Sequence, residues 1–77
     1  MGQDFTKTLI TPEYVHRRVV DNLVQKRIEK RLSLTEMSER LQVSLSYMSQ
    51  LESCRRTPSF DLLVRWILAV GGHINIY

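Results

Sequence analysis

The chain has 77 residues, 43% of them apolar and 25% charged, with eleven Lys and Arg against eight Asp and Glu. This is enough for one small domain of ordinary soluble composition, and a net charge of +3 permits a polyanionic partner without demanding one. A lone cysteine, Cys54, excludes an internal disulfide; no apolar run approaches the roughly 18 residues of a membrane span and the start lacks a signal-peptide pattern, so the expected compartment is the cytoplasm.

Residues 1–11 read as an extended arm, since 5–11 combine Thr6, Thr8 and Thr11 with Leu9 and Ile10. Thr11-Pro12-Glu13 then starts a helix: a capping hydroxyl, a proline at the first position and an acid against the positive end of the dipole. That helix is expected over 12–31. Val15, Val19, Leu23 and Ile28 form its core stripe, which Val20 and Val24 widen. Ser33-Leu34-Thr35-Glu36 is a capping box that opens a short second helix with Leu34, Met37 and Leu41 inward. After Gln42-Val43, Ser44 caps a third helix over 45–53, whose inward pair is Met48 and Leu51. A basic loop, Cys54-Arg55-Arg56-Thr57-Pro58-Ser59, leads to a fourth helix over 59–70 that Gly71-Gly72 stops.

In that last helix Phe60, Leu63, Ile67 and Val70 are expected to close the core, which leaves Leu62, Trp66 and Leu68 on other faces. A helix apolar nearly all round needs cover on both sides. A second copy of the chain is the natural cover; the N-terminal arm folding back over Trp66 is the alternative. Residues 73–77 alternate polar and apolar as a half-buried strand does, with Ile74 and Ile76 on one side. An unpaired edge strand invites pairing, here with its twin or with the arm of a partner. The expected architecture is an all-α, helix-turn-helix bundle of four to five helices in a single domain, 1–77. It comprises an arm at 1–11, a helical core at 12–71 with the helix-turn-helix at 33–53, and a short C-terminal strand at 73–77 able to pair across a homodimer.

The run from Leu32 to Gly71 resembles the helix-turn-helix of the phage repressor and Cro family, the XRE type. The residues that carry the likeness are Leu32-Ser33, Ser38, Leu41-Gln42-Val43-Ser44, Tyr47-Met48-Ser49-Gln50-Leu51-Glu52, Arg55-Arg56, Pro58-Ser59 and Ala69-Val70-Gly71, spaced as in the family without a gap. The resemblance implies a lambda-repressor-like fold in a bacterial or phage host cell, and binding to double-stranded DNA. In this motif the second helix enters the major groove with its N-terminal residues against base edges. Leu45, Ser46, Ser49 and Gln50 would then read bases, with Gln50 suited to adenine N6 and N7 and the whole set leaning to A·T contacts. Tyr47, Arg55 and Arg56 would sit on the backbone, although the arginines also fit a solvated basic loop. Ser33 and Ser44 fit phosphate contacts and pure capping equally well. The family also implies an ion pair between Arg27 and Glu52. Three departures stand out. Gln42 and Cys54 replace glycines at positions that often need φ > 0, and Leu34 replaces a common phosphate-binding glutamine.

These readings imply a repressor or autoregulator acting as a homodimer on an inverted-repeat operator. The arm and terminal strand are also similar in layout to HipB-type antitoxins, which would add a toxin protein as partner. A helix-turn-helix reused as a protein-interaction module is the third reading. Neither catalytic residues nor a cofactor or metal site is expected: His16 and His73 lack partners at ligand spacing, and Cys54 has no companion ligand. Beside two arginines, Cys54 fits either a redox-sensing thiol or a spacer.

Overall fold

The computed structural model describes residues 10–71, which form four helices: α1 (Pro12–Glu29), α2 (Leu34–Leu41), α3 (Leu45–Glu52) and α4 (Phe60–Ala69). No strand occurs among the described residues. The expected strand at 73–77, with Ile74 and Ile76, and the arm through residue 9 lie outside them.

Each helix starts on a hydroxyl. Thr11, Ser33, Ser44 and Ser59 are all extended N-caps, and their oxygens accept from the amides of Tyr14, Glu36, Tyr47 and Leu62. In the capping box of α2, Glu36 also accepts from the Ser33 amide at 2.8 Å. The backbone N–H of Ser33 is the main cause holding the Glu36 carboxyl below the usual carboxylate range.

The helices end alike as well. Arg31, Gln42, Cys54 and Gly71 all have positive φ, between 58° and 80°. After α1, Leu32 N donates to Arg27 O and Arg31 N to Ile28 O; after α3, Arg55 N donates to Gln50 O and Cys54 N to Leu51 O. These paired bonds are Schellman closures, which satisfy carbonyls the helix leaves open. Only the last uses glycine, and there a Cβ would lie 2.9 Å from Cε of Lys30. At the exposed Gln42 the side chain makes no hydrogen bond among the described residues to offset its left-handed backbone. Gln42→Gly is therefore expected to stabilise the fold by roughly 0.5–1 kcal/mol, less whatever the freer unfolded chain takes back. Urea midpoints of the two proteins test this, and an unchanged or lower midpoint would assign Gln42 a contact of its own.

The core comprises Val20, Leu23, Met37, Leu41, Met48, Leu51, Leu62, Trp66 and Val70, each at most 5% exposed. Val19, Val24, Leu32, Leu34, Val43, Tyr47, Leu63 and Ile67 pack around it. The buried Ser38 hydroxyl donates to Thr35 O at 2.7 Å, so it fits the core as a small residue would.

Two stripes differ from expectation. On α1, Val20 and Leu23 are buried, whereas Val15 and Ile28 are 46% and 53% exposed. Arg27 takes the inward position in the last turn instead. On α4 Val70 is buried and Leu63 and Ile67 pack against the core as expected, but three other positions are not where the spacing put them. Leu62 and Trp66, expected at a dimer interface, belong to the core of the single chain, while Phe60, expected in the core, is 81% exposed. The polar pair on α4 explains the difference. Arg65 binds Asp61 at 3.2 Å and reaches the Leu41 carbonyl at the end of α2. Arg65 therefore marks the edge of α4 beside α2, with the exposed Asp61 one turn before it, and the inner stripe is rotated accordingly. Leu68, by contrast, is 58% exposed.

Candidate nucleic-acid interface

The helix-turn-helix is α2, the turn at Gln42-Val43 and α3. Ser38 O accepts from Val43 N and Glu39 O from Gln42 N, which sets the left-handed Gln42 between the two helices. Met48 and Leu51 anchor α3 from one side, and Tyr47 lays its ring against the core half-buried. The opposite face is open: Leu45 is 49% exposed, and Ser46 and Ser49 are exposed. Gln50 is half-buried at the edge of this face. The four residues expected to read bases thus share one side of the helix, Leu45 and Ser46 in its first turn and Ser49 and Gln50 in the next.

The charge pattern of α3 suits a polyanion. Its first turn has no acidic residue, so the positive end of the helix dipole is uncancelled. Its single anion, Glu52, is matched by a cation. Arg27 Nε donates to Glu52 Oε2 at 2.6 Å and Nη2 to Oε1 at 3.1 Å, while Nη1 donates to Leu32 O at 2.7 Å. The side chains are 15% and 13% exposed. This two-pronged contact fixes geometry as well as charge. It ties the end of the presented helix to α1 and neutralises the one group there that would repel phosphate.

Arg55 and Arg56 are exposed just past α3. Ser33 and Ser44 are exposed caps whose oxygens accept from Glu36 and Tyr47 at 3.0 Å. Capping uses an oxygen lone pair of each, leaving the hydroxyl proton to donate elsewhere.

Some contacts have no sequence signal. Arg56 Nε donates to Gln50 Oε1 at 3.0 Å, although both lie toward the surface and the pair spans a loop. Arg40 reaches the Ala69 carbonyl at 3.3 Å, a cation at a helix C-terminus. Cys54 is half-buried and adopts φ 62°. Away from the helix-turn-helix, a largely apolar groove of about 560 Å³ runs between the start of α1 and α4, lined by residues including Val15, His16, Val19, Pro58 and Leu63. His16 Nε2 is buried there and has no partner among the described residues. No group of metal-ligating side chains occurs among the described residues, and no described helix is long and apolar enough to cross a membrane.

A family model described as helix-turn-helix, HTH_3, matches residues 23–75, more than half of the chain. The chain belongs to the Cro-type (XRE) helix-turn-helix family. Comparison with curated proteins and with solved structures gives no significant match. The helix-turn-helix match covers the end of α1 and all of α2, α3 and α4. It therefore includes the Arg27–Glu52 pair, the open face of α3 and the arginines behind it. As an XRE-type domain the protein is a DNA-binding helix-turn-helix protein.

Proposed function

We propose that this XRE-type domain binds operator DNA as a homodimer and represses transcription, with α3 in the major groove. The observation that carries this reading is the open face of α3. A helix anchored by Met48 and Leu51 presents Leu45, Ser46, Ser49 and Gln50 together, and Arg55 and Arg56 stand at its end. Base edges are read by the first group. Phosphates are gripped by the second, with Tyr47, Ser33 and Ser44 alongside, which gives affinity and salt dependence but no sequence preference.

The dimer reading rests on α4, moved to a new face. With Leu62 and Trp66 inside, Phe60, Val64 and Leu68 recur at four-residue spacing along the outer side, and Phe60 and Leu68 are 81% and 58% exposed. A two-fold interface would use this same patch on both copies. Two reading helices related by such an axis call for half-sites about one turn of DNA apart.

Selection from a random duplex library at two salt concentrations tests both halves. An enriched inverted repeat that weakens as salt rises is the expected result. Weak, uniform binding would instead favour a protein partner, as in the toxin-binding or adaptor readings. Leu68→Glu places like charges across the two-fold. It is expected to leave the melting curve of the monomer within about 0.5 kcal/mol of the parent, as surface changes do. It should yield a monomer in sedimentation and reduce binding to that of a half-site. A variant that sediments as the parent does would exclude this face.

A further inference from the structure

We propose that Arg56 is a positioning residue for base recognition: it fixes which way the Gln50 carboxamide faces, and through it the role of the Ser46 hydroxyl. The inference rests on the DNA-binding reading above and assigns a determinant of its specificity.

The geometry is a short chain of side chains along the exposed face of α3. Arg56 Nε donates to Gln50 Oε1 at 3.0 Å, and Gln50 Nε2 donates to Ser46 Oγ at 3.4 Å. The loop that brings Arg56 back is itself pinned to the same residue, because Arg55 N and Arg56 N both point to the Gln50 carbonyl, at 2.9 and 3.3 Å. A carboxamide has two faces that differ only in which end is oxygen, and either fits the same space. Arginine removes that ambiguity. A guanidinium has donors only, so the oxygen of Gln50 must face Arg56 and its nitrogen must face Ser46.

Two consequences follow for what the helix offers a base. Gln50 retains one lone pair and one N–H, the set that matches adenine N6 and N7, and it retains them in a single order along the helix. Ser46, already accepting from Gln50, turns its proton outward as a donor. It therefore suits an acceptor edge, such as N7 of a purine or O4 of thymine. Without Arg56 the carboxamide is free to turn over, and the base opposite Gln50 is read in two ways at once.

This role, which uses only Nε, is separable by measurement from the phosphate contact that the Nη donors of Arg56 can still make. A phosphate contact lowers affinity by the same factor for all sequences and reduces the salt slope by about one. A positioning contact changes the base preference at one position of each half-site. The experiment is sequencing of the duplex pool bound by the full chain and by Arg56→Ala, Arg55→Ala, Gln50→Ala and Gln50→Ala/Arg56→Ala. The parent chain is expected to prefer one base at the Gln50 position at least fivefold. Arg56→Ala should reduce that preference to twofold or less, and Arg55→Ala should leave it unchanged while lowering affinity throughout. Gln50→Ala should abolish it, with no further change in the double variant. A preference that survives in Arg56→Ala alongside a uniform loss of affinity overturns the proposal and leaves the DNA-binding reading standing. No enrichment by the parent chain overturns both.

Discussion

Trp66→Ala is expected to leave the protein largely unfolded at room temperature. Trp66 is fully buried and shares one core cluster with Met37, Leu41, Met48 and Leu51. Its indole Nε1 has no partner among the described residues, so its contribution is packing. Truncating a buried tryptophan costs about 3–5 kcal/mol. A single core in a chain this short rarely supplies more than about 3–5 kcal/mol in total. The loss thus matches the whole margin. Trp66→Phe, which refills most of the space and breaks no hydrogen bond among the described residues, should stay folded with a lower melting temperature. Far-UV circular dichroism over a range of protein concentrations distinguishes this from a role at an interface. A Trp66→Ala protein that keeps its helices at high dilution and only loses self-association would place the indole between chains.

The second large effect belongs to Arg27 and Glu52. Arg27→Ala leaves a carboxylate at 13% exposure without its cation, and it also strips the Leu32 carbonyl of its donor. Removing one partner from a buried pair costs about 3–5 kcal/mol; the residual exposure of this pair places it nearer about 2–3 kcal/mol. In a domain of this size that lowers the melting temperature by roughly 10–20 °C. Glu52→Ala should cost less than Arg27→Ala, because the arginine keeps Leu32. The double variant Arg27→Met/Glu52→Leu, close to the parent in volume, should recover much of the stability, since apolar replacements of buried ion pairs are often neutral. Thermal melts of the parent and the three variants decide the matter. Single variants that melt with the parent would show that the pair does not hold α3. DNA binding adds a second readout: Arg27→Ala uncovers a negative charge on the presented helix, whereas Glu52→Ala removes one.

Much of the fold is legible in the residues. Four hydroxyl caps, one capping box, the apolar trio of α2 and the apolar pair of α3 define where the helices start and what α2 and α3 bury. Those signals are local: a Ser–x–x–Glu spacing acts within one turn of chain. What the residues do not reveal is rotational. Every side of α4 but one is apolar, and the polar exception, Asp61 with Arg65, lies toward α2 because Arg65 caps the carbonyl of Leu41. Nothing in the spacing of α4 indicates a neighbour of that kind. Ile28 is displaced for a related reason, since Arg27 turns inward to a carboxylate 25 residues away. On the candidate interface, the grouping of Leu45, Ser46, Ser49 and Gln50 follows from helix periodicity alone. The Arg56 contact does not, because it depends on the path of the loop after a left-handed residue, Cys54, where the family has glycine.

The contrast between the two sets of arginines has a consequence for lifetime on DNA. Arg55 and Arg56 stand in water, where charges are screened over about 10 Å at 0.1 M salt. Arg27 and Glu52 are largely withdrawn from it, and ions reach them far less. If Arg55 and Arg56 grip phosphate as proposed, raising ionic strength is expected to shorten each stay on the duplex and to leave the shape of the reader unchanged. On that reading, a return to the duplex is expected to need no refolding step.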